Sequence, residues 1–464
     1  MRRVLTSIAA ASFGAVIVSA QQPGAEQQLV ARAKAVHERV ITLDTHDDIN
    51  AANFTPACNY TQRLTTQVNL PKMKEGGLDV AFFIVYVGQG PLTPAGYDNA
   101  YRQAVEKFDA VQRFTKEIAP DQMELALTPA DARRIVASGK KVAVIGIENG
   151  YPVGTDITRV EEFYKRGGRY MSLAHNGHSQ LADSNTGEAT GEFPNKGLSD
   201  LGRQVIAEMN RLGMMVDISH PSKQANLQAM ALSKAPVIAS HSSARAMGNH
   251  SRNLDDEQLA AIKKNGGVVQ TVAFASYVNV TPPERAAAIA KLNTEFGLTQ
   301  AGGGGRQGGR GAPSAGSGQA GPAAPRPCPV EGAATEGAGR AAGQGRGGRG
   351  GQSDALDALA RERRAEYDAR LKAIDAMHPV PPRATVKDFV NHIDYLVKTI
   401  GIDHVGISSD FDGGGGVEGW GHAGESANVT IELVHRGYTE EQIGKLWSGN
   451  LLRVWEQVEK AAGK

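Results

Sequence analysis

Cysteine is almost absent from this chain. Only Cys58 and Cys328 occur in 464 residues, and they lack metal-ligand spacing, which argues against a structural zinc site built on thiolates. They lie far apart in sequence, and an exported chain permits a disulfide between them without requiring one. An excess of charge is missing too. Lys and Arg total 50 against 49 Asp and Glu, a formal net of +1, so nothing points to nucleic acid or an anionic membrane as partner. Beyond the first twenty residues no run is apolar enough to span a bilayer. Two short catalytic signatures are also lacking. The metalloprotease helix motif His-Glu-x-x-His fails at "HERVI", beginning at His37, and no serine-hydrolase elbow occurs.

What is present begins with an export pattern. Arg2 and Arg3 precede the apolar "VLTSIAAASFGAVIV", and "VSA" ending at Ala20 offers a small-residue cleavage site. Residues 1–20 are expected to be a cleaved signal peptide, leaving residues 21–464 as a single domain without a stable membrane span, exported to a periplasmic or extracellular location. One stretch stands apart. Residues 301–353, with "AGGGGRQGGRGAPSAGSGQAGPAAPRP" and "GAGRAAGQGRGGRGGQS", have almost no large apolar side chains to offset their ordering entropy. This reads as a disordered surface insertion rather than a nucleic-acid tail. A charged helix, "DALDALARERRAEYDARLKAIDAM", is expected after it.

Elsewhere short β-branched apolar runs alternate with helical patterns. The runs are "RVITLDTH", "LDVAFFIVYV", "KVAVIGIEN", "RYMSLAHN", "MMVDISH", "PVIASHS", "GGVVQTVAF" and "DHVGISSD". Most are continuously apolar, as strands buried on both faces are. Helix signals fall between them: Thr128-Pro129 as cap and first-turn proline, capping-box spacing at Asp255/Gln258 and Thr439/Gln442, and Gly213 and Gly266 as stops. Eight strands separated by helices predict an α/β fold, a (β/α)8 TIM-like barrel with the insertion after strand seven; a doubly wound open sheet is the alternative.

The polar residues that end these runs carry the chemistry. His46 and Asp48 end the first, Glu148 the third, His175 the fourth, His220 the fifth, His241 the sixth and Asp410 the eighth. In a barrel all of them share the C-terminal rim, where catalytic groups sit. Imidazole and carboxylate ligands suit Zn, Mn, Co or Fe. His46 and Asp48 are two apart in extended chain, so their side chains project the same way. His220 and His241 come from adjacent strands. Glu148 lies between these pairs in strand order, and a carboxylate can bridge two cations that together activate water and polarise a carbonyl. In the otherwise apolar "VAVIGIENG" it is either a ligand or a costly buried charge. His175 reads as a catalytic residue outside the ligand set, although His178 is near. Asp410 stands at its strand's end, whereas Asp412 could cap a turn. Asp47 is expected to point away from the metal into solvent or a turn, and Asp44 to orient the His46 imidazole.

With these residues in place, the motifs "DTHDD", "IGIENG", "LAHNGHSQLADS", "VDISHPS", "PVIASHSSARAM", "RNLDDE", "HVGISSDFDG" and "GNLLRVWE" resemble those of the membrane (renal-type) dipeptidases, peptidase family M19, from about Val40 to Glu456. The resemblance implies a zinc-dependent dipeptidase. It implies one zinc on His46, Asp48 and Glu148 and a second on Glu148, His220 and His241, with other divalent metals able to replace them. A hydroxide between the metals would attack the peptide carbonyl. His175 would help bind and stabilise the oxyanion, Asp410 would carry the proton to the leaving amine, and Arg252 would take the substrate's terminal carboxylate. A homodimer is common in such proteins. There are departures. "GHSQLADS" places Gln180 and Leu181 where the family has an aromatic and proline flavour, a substrate-touching Tyr falls at Phe274 with Tyr277 near, and the usual disulfide cysteines are missing.

Two other readings compete. One is another binuclear amidohydrolase-type barrel acting on a lactone, phosphoester, cyclic amide or acylated amino acid. Many of those bridge their metals with a carbamylated lysine, whereas here Glu148 holds that position. The other is an exported barrel that has lost catalysis and only binds peptides.

Overall fold

The computed structural model describes residues 24–298, 328–332 and 361–464. The expected signal peptide lies outside the described residues, and of the insertion only 328–332 lie within them. Among the described residues nine strands form: β1 (Leu43–Asp48), β2 (Val80–Tyr86), β3 (Met123–Leu125), β4 (Lys141–Glu148), β5 (Gly168–Ser172), β6 (Met215–Asp217), β7 (Ile238–Ala239), β8 (Val268–Val272) and β9 (Val405–Ser408). Eight run in the order β1-β2-β4-β5-β6-β7-β8-β9, and β3 pairs only with β4. The ring closes where the Asp48 N–H donates to the Phe411 carbonyl at 2.8 Å. This is the predicted (β/α)8 barrel, and its eight strands are the eight apolar runs. The outlying β3, "MEL", is too short to show a pattern in sequence.

Continuous apolarity hid a strict alternation. In β2, Val80, Phe82 and Ile84 point inward with Val142 and Val144 of β4, while Ala81, Phe83 and Val85 face the outer helices. The helix Asn450–Ala461 closes the N-terminal end of the barrel. Its Leu451, Leu452, Trp455 and Val458 pack onto the first inward residues of the strands, among them Leu43, Val80, Val142 and Met215. In β1 the register shifts between Asp44 and Asp47. A bulge of this kind lets both Leu43 and His46 face inward although they are three residues apart.

The helix signals hold. Thr128 caps its helix by accepting from the Asp131 N–H, and both capping boxes form. Gly213 and Gly266 end theirs in the left-handed conformation, at φ +72° and +83°. Of the expected charged helix, Arg361–Met377 forms and its earlier residues lie outside the described chain.

Residues 328–332 are ordered, contrary to the reading of their whole stretch as structureless. Cys328 is disulfide-bonded to Cys58. Thr65 donates to the Pro329 carbonyl at 2.7 Å, and Glu331 pairs with both Lys72 and Arg63. This short piece, "CPVEG", carries the cysteine and the carboxylate that hold it. It clasps the loop between β1 and the helix Leu70–Gly76.

Candidate metal centre

Glu148 ends β4 with the same inward parity as Val142 and Val144, and it is only 3% exposed. Its Oε1 faces four imidazoles. His220 Nε2 lies at 2.9 Å, His241 Nε2 at 3.3 Å, His46 Nε2 at 3.6 Å and His175 Nε2 at 3.7 Å. Asp48 Oδ2 is 3.8 Å from His46 Nε2, and Asp410 joins these two in a group whose ligand atoms lie within 4.8 Å of one another. The structure thus brings together every residue predicted from the strand ends. His175 and Asp410 stand as close in as the expected ligands do.

Hydrogen bonds fix two of the ring tautomers. Tyr170 Oη donates to the Thr45 carbonyl at 2.9 Å, so it must accept from His46 Nδ1, 3.0 Å away. His46 Nε2 is then a bare lone pair, buried and without a hydrogen-bond partner. Ser240 Oγ donates to Asp217 Oδ2 at 2.6 Å and therefore accepts from His241 Nδ1 at 2.8 Å, which turns the His241 Nε2 lone pair toward Glu148. Asp217 also accepts from the Ser219 and Ser240 N–H groups. Support of this kind holds metal-binding imidazoles in place.

The backbone is strained at the same rim. Asn149, His220, Asp410 and Asp412 adopt φ between +58° and +81°, and among described non-glycine residues only Lys196 shares that sign. Gly413 passes so close that a Cβ there would lie 2.2 Å from Asp410 Oδ1 and 2.3 Å from Asp48 Oδ2.

Burial sets the electrostatics. It pushes the carboxyls of Glu148 and Asp410 up, Asp410 well above the usual range, and raises Asp48 to about 6 with help from the neighbouring Glu148 charge. It drives the His175 imidazole down to about 4, and His220 and His241 well below their ordinary value. Neutral imidazoles, with the His46 and His241 lone pairs aimed at an acid deprived of solvation, make a donor set that a dication satisfies. The residues present fit a metal.

Arg252 is buried rather than on the surface, at 4% exposure. Its Nη2 donates to the His241 carbonyl at 3.0 Å, its Nε has no partner, and its guanidinium lies 5.5 Å from the Tyr277 ring centroid. Phe274 stacks on Tyr277 with ring centroids 4.1 Å apart, so Tyr277 is the candidate for the tyrosine position that lies beside Arg252. His178 is structural, its Nδ1 accepting from the Ser184 N–H. Gln180 donates to the Gly154 carbonyl and Leu181 is core, so neither departure is a metal neighbour.

Two expectations are corrected. Asp47 is fully buried rather than solvated, and both its oxygens lack hydrogen-bond partners, because closure of the barrel onto Phe411 covers it. Asp44 does not orient the His46 ring. It accepts from the His46 and Ser409 N–H groups instead, and Tyr170 holds the imidazole. Sequence reasoning missed Tyr170, Asp217 and Ser240. Asp217 carried a signal, a carboxylate inside the apolar "MMVDIS", the same signal that marked Glu148. Tyr170 reads as an ordinary core aromatic.

A (β/α)8 barrel with imidazoles and carboxylates converging on its C-terminal rim defines a class, the metal-dependent hydrolases. The family follows from comparison with known proteins. The family model "Membrane dipeptidase (Peptidase family M19)" matches residues 30–464, and the chain belongs to that family and is a metallo-dipeptidase. It is 27% identical over 408 residues to "Dipeptidase tcpJ" of Claviceps purpurea, covering 87% of this chain and 72% of that one. It is similar to the crystal structure of the probable dipeptidase PvdM from Pseudomonas aeruginosa at 30% identity and TM-score 0.71, covering 94% of this chain and 99% of that one. A metallo peptidase from Rhodobacter sphaeroides, solved with a phosphinate mimic of L-Ala-D-Ala, shares the fold at 21% identity and TM-score 0.61, covering 90% and 99%.

Proposed function

We propose that this chain is an exported zinc dipeptidase with two metal ions per chain, bridged by Glu148. The observation that carries this is the single Glu148 oxygen facing four imidazole nitrogens at 2.9 to 3.7 Å. His46 and Asp48 would hold one ion with Glu148, and His220 and His241 the other; bound there, the pair supplies an activated water and a Lewis acid for the scissile carbonyl. The orphaned His46 Nε2 and the lone pair of His241 support this division.

The remaining groups act on the substrate. His175, kept neutral by burial, retains one ring N–H to donate to the developing oxyanion. Asp410, whose carboxyl is pushed up by burial and by the Asp48 and Glu148 charges, stands at the same rim and would carry the proton from the attacking water to the leaving amine. Arg252 spends one N–H on the His241 carbonyl and keeps the rest of its fork for the terminal carboxylate. No helix among the described residues is long and apolar enough to cross a membrane. Export rests on the Arg2–Ala20 pattern.

The test uses purified protein, metal analysis and a substrate panel of L,L and L,D dipeptides, tripeptides and N-acylated dipeptides, with and without chelator. Two zinc-class ions per chain and chelator-sensitive cleavage restricted to dipeptides are expected. Fewer than one ion per chain removes the dinuclear site. Tripeptide cleavage as fast as dipeptide cleavage removes the Arg252 clamp.

A further inference from the structure

Lys107 is a charged residue where the helix pattern asks for an apolar one. The helix Pro94–Arg113 buries Tyr97, Ala100, Ala104, Phe108 and Val111. Position 107 lies three residues after Ala104 and four before Val111, on the flank of that stripe. Its side chain is half-buried. It enters a cavity of about 250 Å³ at the mouth of the barrel, lined also by Asp48, Asn50, Tyr60, Thr66 and Tyr86. The ammonium lies 5.6 Å from the centroid of the Tyr86 ring and makes no ion pair among the described residues. Burial presses its pKa down, while Asp48 and Glu148 push it back up.

The position relative to Arg252 decides what this cation meets. Lys107 follows β2 and Arg252 follows β7. In the ring β1-β2-β4-β5-β6-β7-β8-β9 these strands stand opposite each other. If Arg252 takes the terminal carboxylate of a dipeptide, the residue on the other side of the scissile bond faces the wall that carries Lys107. A dipeptide with a neutral side chain there would bring its own ammonium toward an unpaired lysine. An acidic side chain would place a carboxylate between the two cations.

We propose that Lys107 is a specificity-determining residue that binds a side-chain carboxylate on the N-terminal residue of the substrate, so that dipeptides beginning with Glu or Asp are preferred. This rests on the dipeptidase reading and on Arg252 as the clamp for the other end. The test is a comparison of kcat/KM on Glu-Ala, Gln-Ala, Asp-Ala, Asn-Ala and Ala-Ala with the metal-loaded full chain, as wild type, Lys107→Met and Lys107→Arg. The wild type should prefer Glu-Ala to Gln-Ala about tenfold, the effect of one charge-assisted hydrogen bond, and mainly through KM. Lys107→Met should bring the ratio to about one, and Lys107→Arg should restore most of it. A wild-type ratio of one overturns the proposal. So does a Lys107→Met variant that lowers every substrate equally, which would mark the lysine as a structural counter-charge to Asp48. Failure of the wild type to cleave any dipeptide removes the parent reading instead, and this inference with it.

Discussion

The barrel interior has two halves built by the same strands. In the lower half, inward residues are Val80 and Phe82 of β2, Val142 and Val144 of β4 and Met215 of β6, sealed by Trp455. Two or four residues further along, the same strands present Tyr86, Glu148 and Asp217. Below, side chains are apolar and packed. Above, ring nitrogens lack partners, carboxyls are pushed up by burial and non-glycine residues take positive φ. A site this unfavourable persists because the packed half over-determines the strand positions that hold it. Function and stability are therefore separable along a few residues of one strand, and substitutions in the two halves should have opposite signatures.

The largest effect is expected at Glu148. Glu148→Gln keeps the shape and removes the charge that four imidazoles share. Turnover on a dipeptide should fall by on the order of 10³-fold or more, with loss of bound metal. The metal-free variant should unfold no earlier than metal-free wild type, because a buried carboxyl without a cation does not stabilise the fold. Near-normal kcat would place the bridge elsewhere, and a large drop in stability would break the division of the barrel into halves.

Trp455 probes the other half. Its ring is fully buried against Phe82, centroids 6.2 Å apart, and its indole N–H has no hydrogen-bond partner to lose. Trp455→Ala should destabilise by about 3–5 kcal/mol through lost burial and a residual cavity. Denaturant unfolding measures this directly. Metal content and kcat per folded molecule should stay at wild-type values, and a kcat loss in the folded fraction would show that the plug also positions the rim.

This comparison also explains what the sequence revealed. All eight barrel strands were legible, because runs such as "KVAVIGIE" are apolar on both faces. The rim was legible for a related reason. A charge at the end of an apolar run, as at Glu148 or Asp410, has few explanations. Supporting contacts were not legible, since they join residues distant in sequence whose types are common in cores. Nothing local distinguishes Tyr170 from a packing aromatic, and the bulge that turned Asp44 onto backbone amides is a property of strand register. The Cys58–Cys328 bond joins positions 270 residues apart, a distance in space that no local pattern encodes. Lys107 did leave a trace, a lysine on the flank of an apolar stripe, but only the opposed places of β2 and β7 in the ring give it meaning.

Tyr170 lies on the boundary between the halves and gives the smallest and most discriminating effect. Its ring belongs to the lower half, stacked on Phe82 with centroids 5.7 Å apart and passing so close to Gly146 that a Cβ there would lie 2.3 Å from it. Its hydroxyl belongs to the upper half, linking His46 Nδ1 to the Thr45 carbonyl. Tyr170→Phe removes only the second role. The ring keeps its packing, so the unfolding midpoint of the metal-free protein should barely move. His46 loses the acceptor that fixes its tautomer, so metal affinity should weaken by about 10–100-fold. Competition with a chelator of known affinity reads that loss without reference to activity. Unchanged affinity would mean that strand geometry alone orients His46. A large loss of stability would mean that the hydroxyl serves the core, and that the boundary between the two halves lies higher in the barrel than the ring of Tyr170.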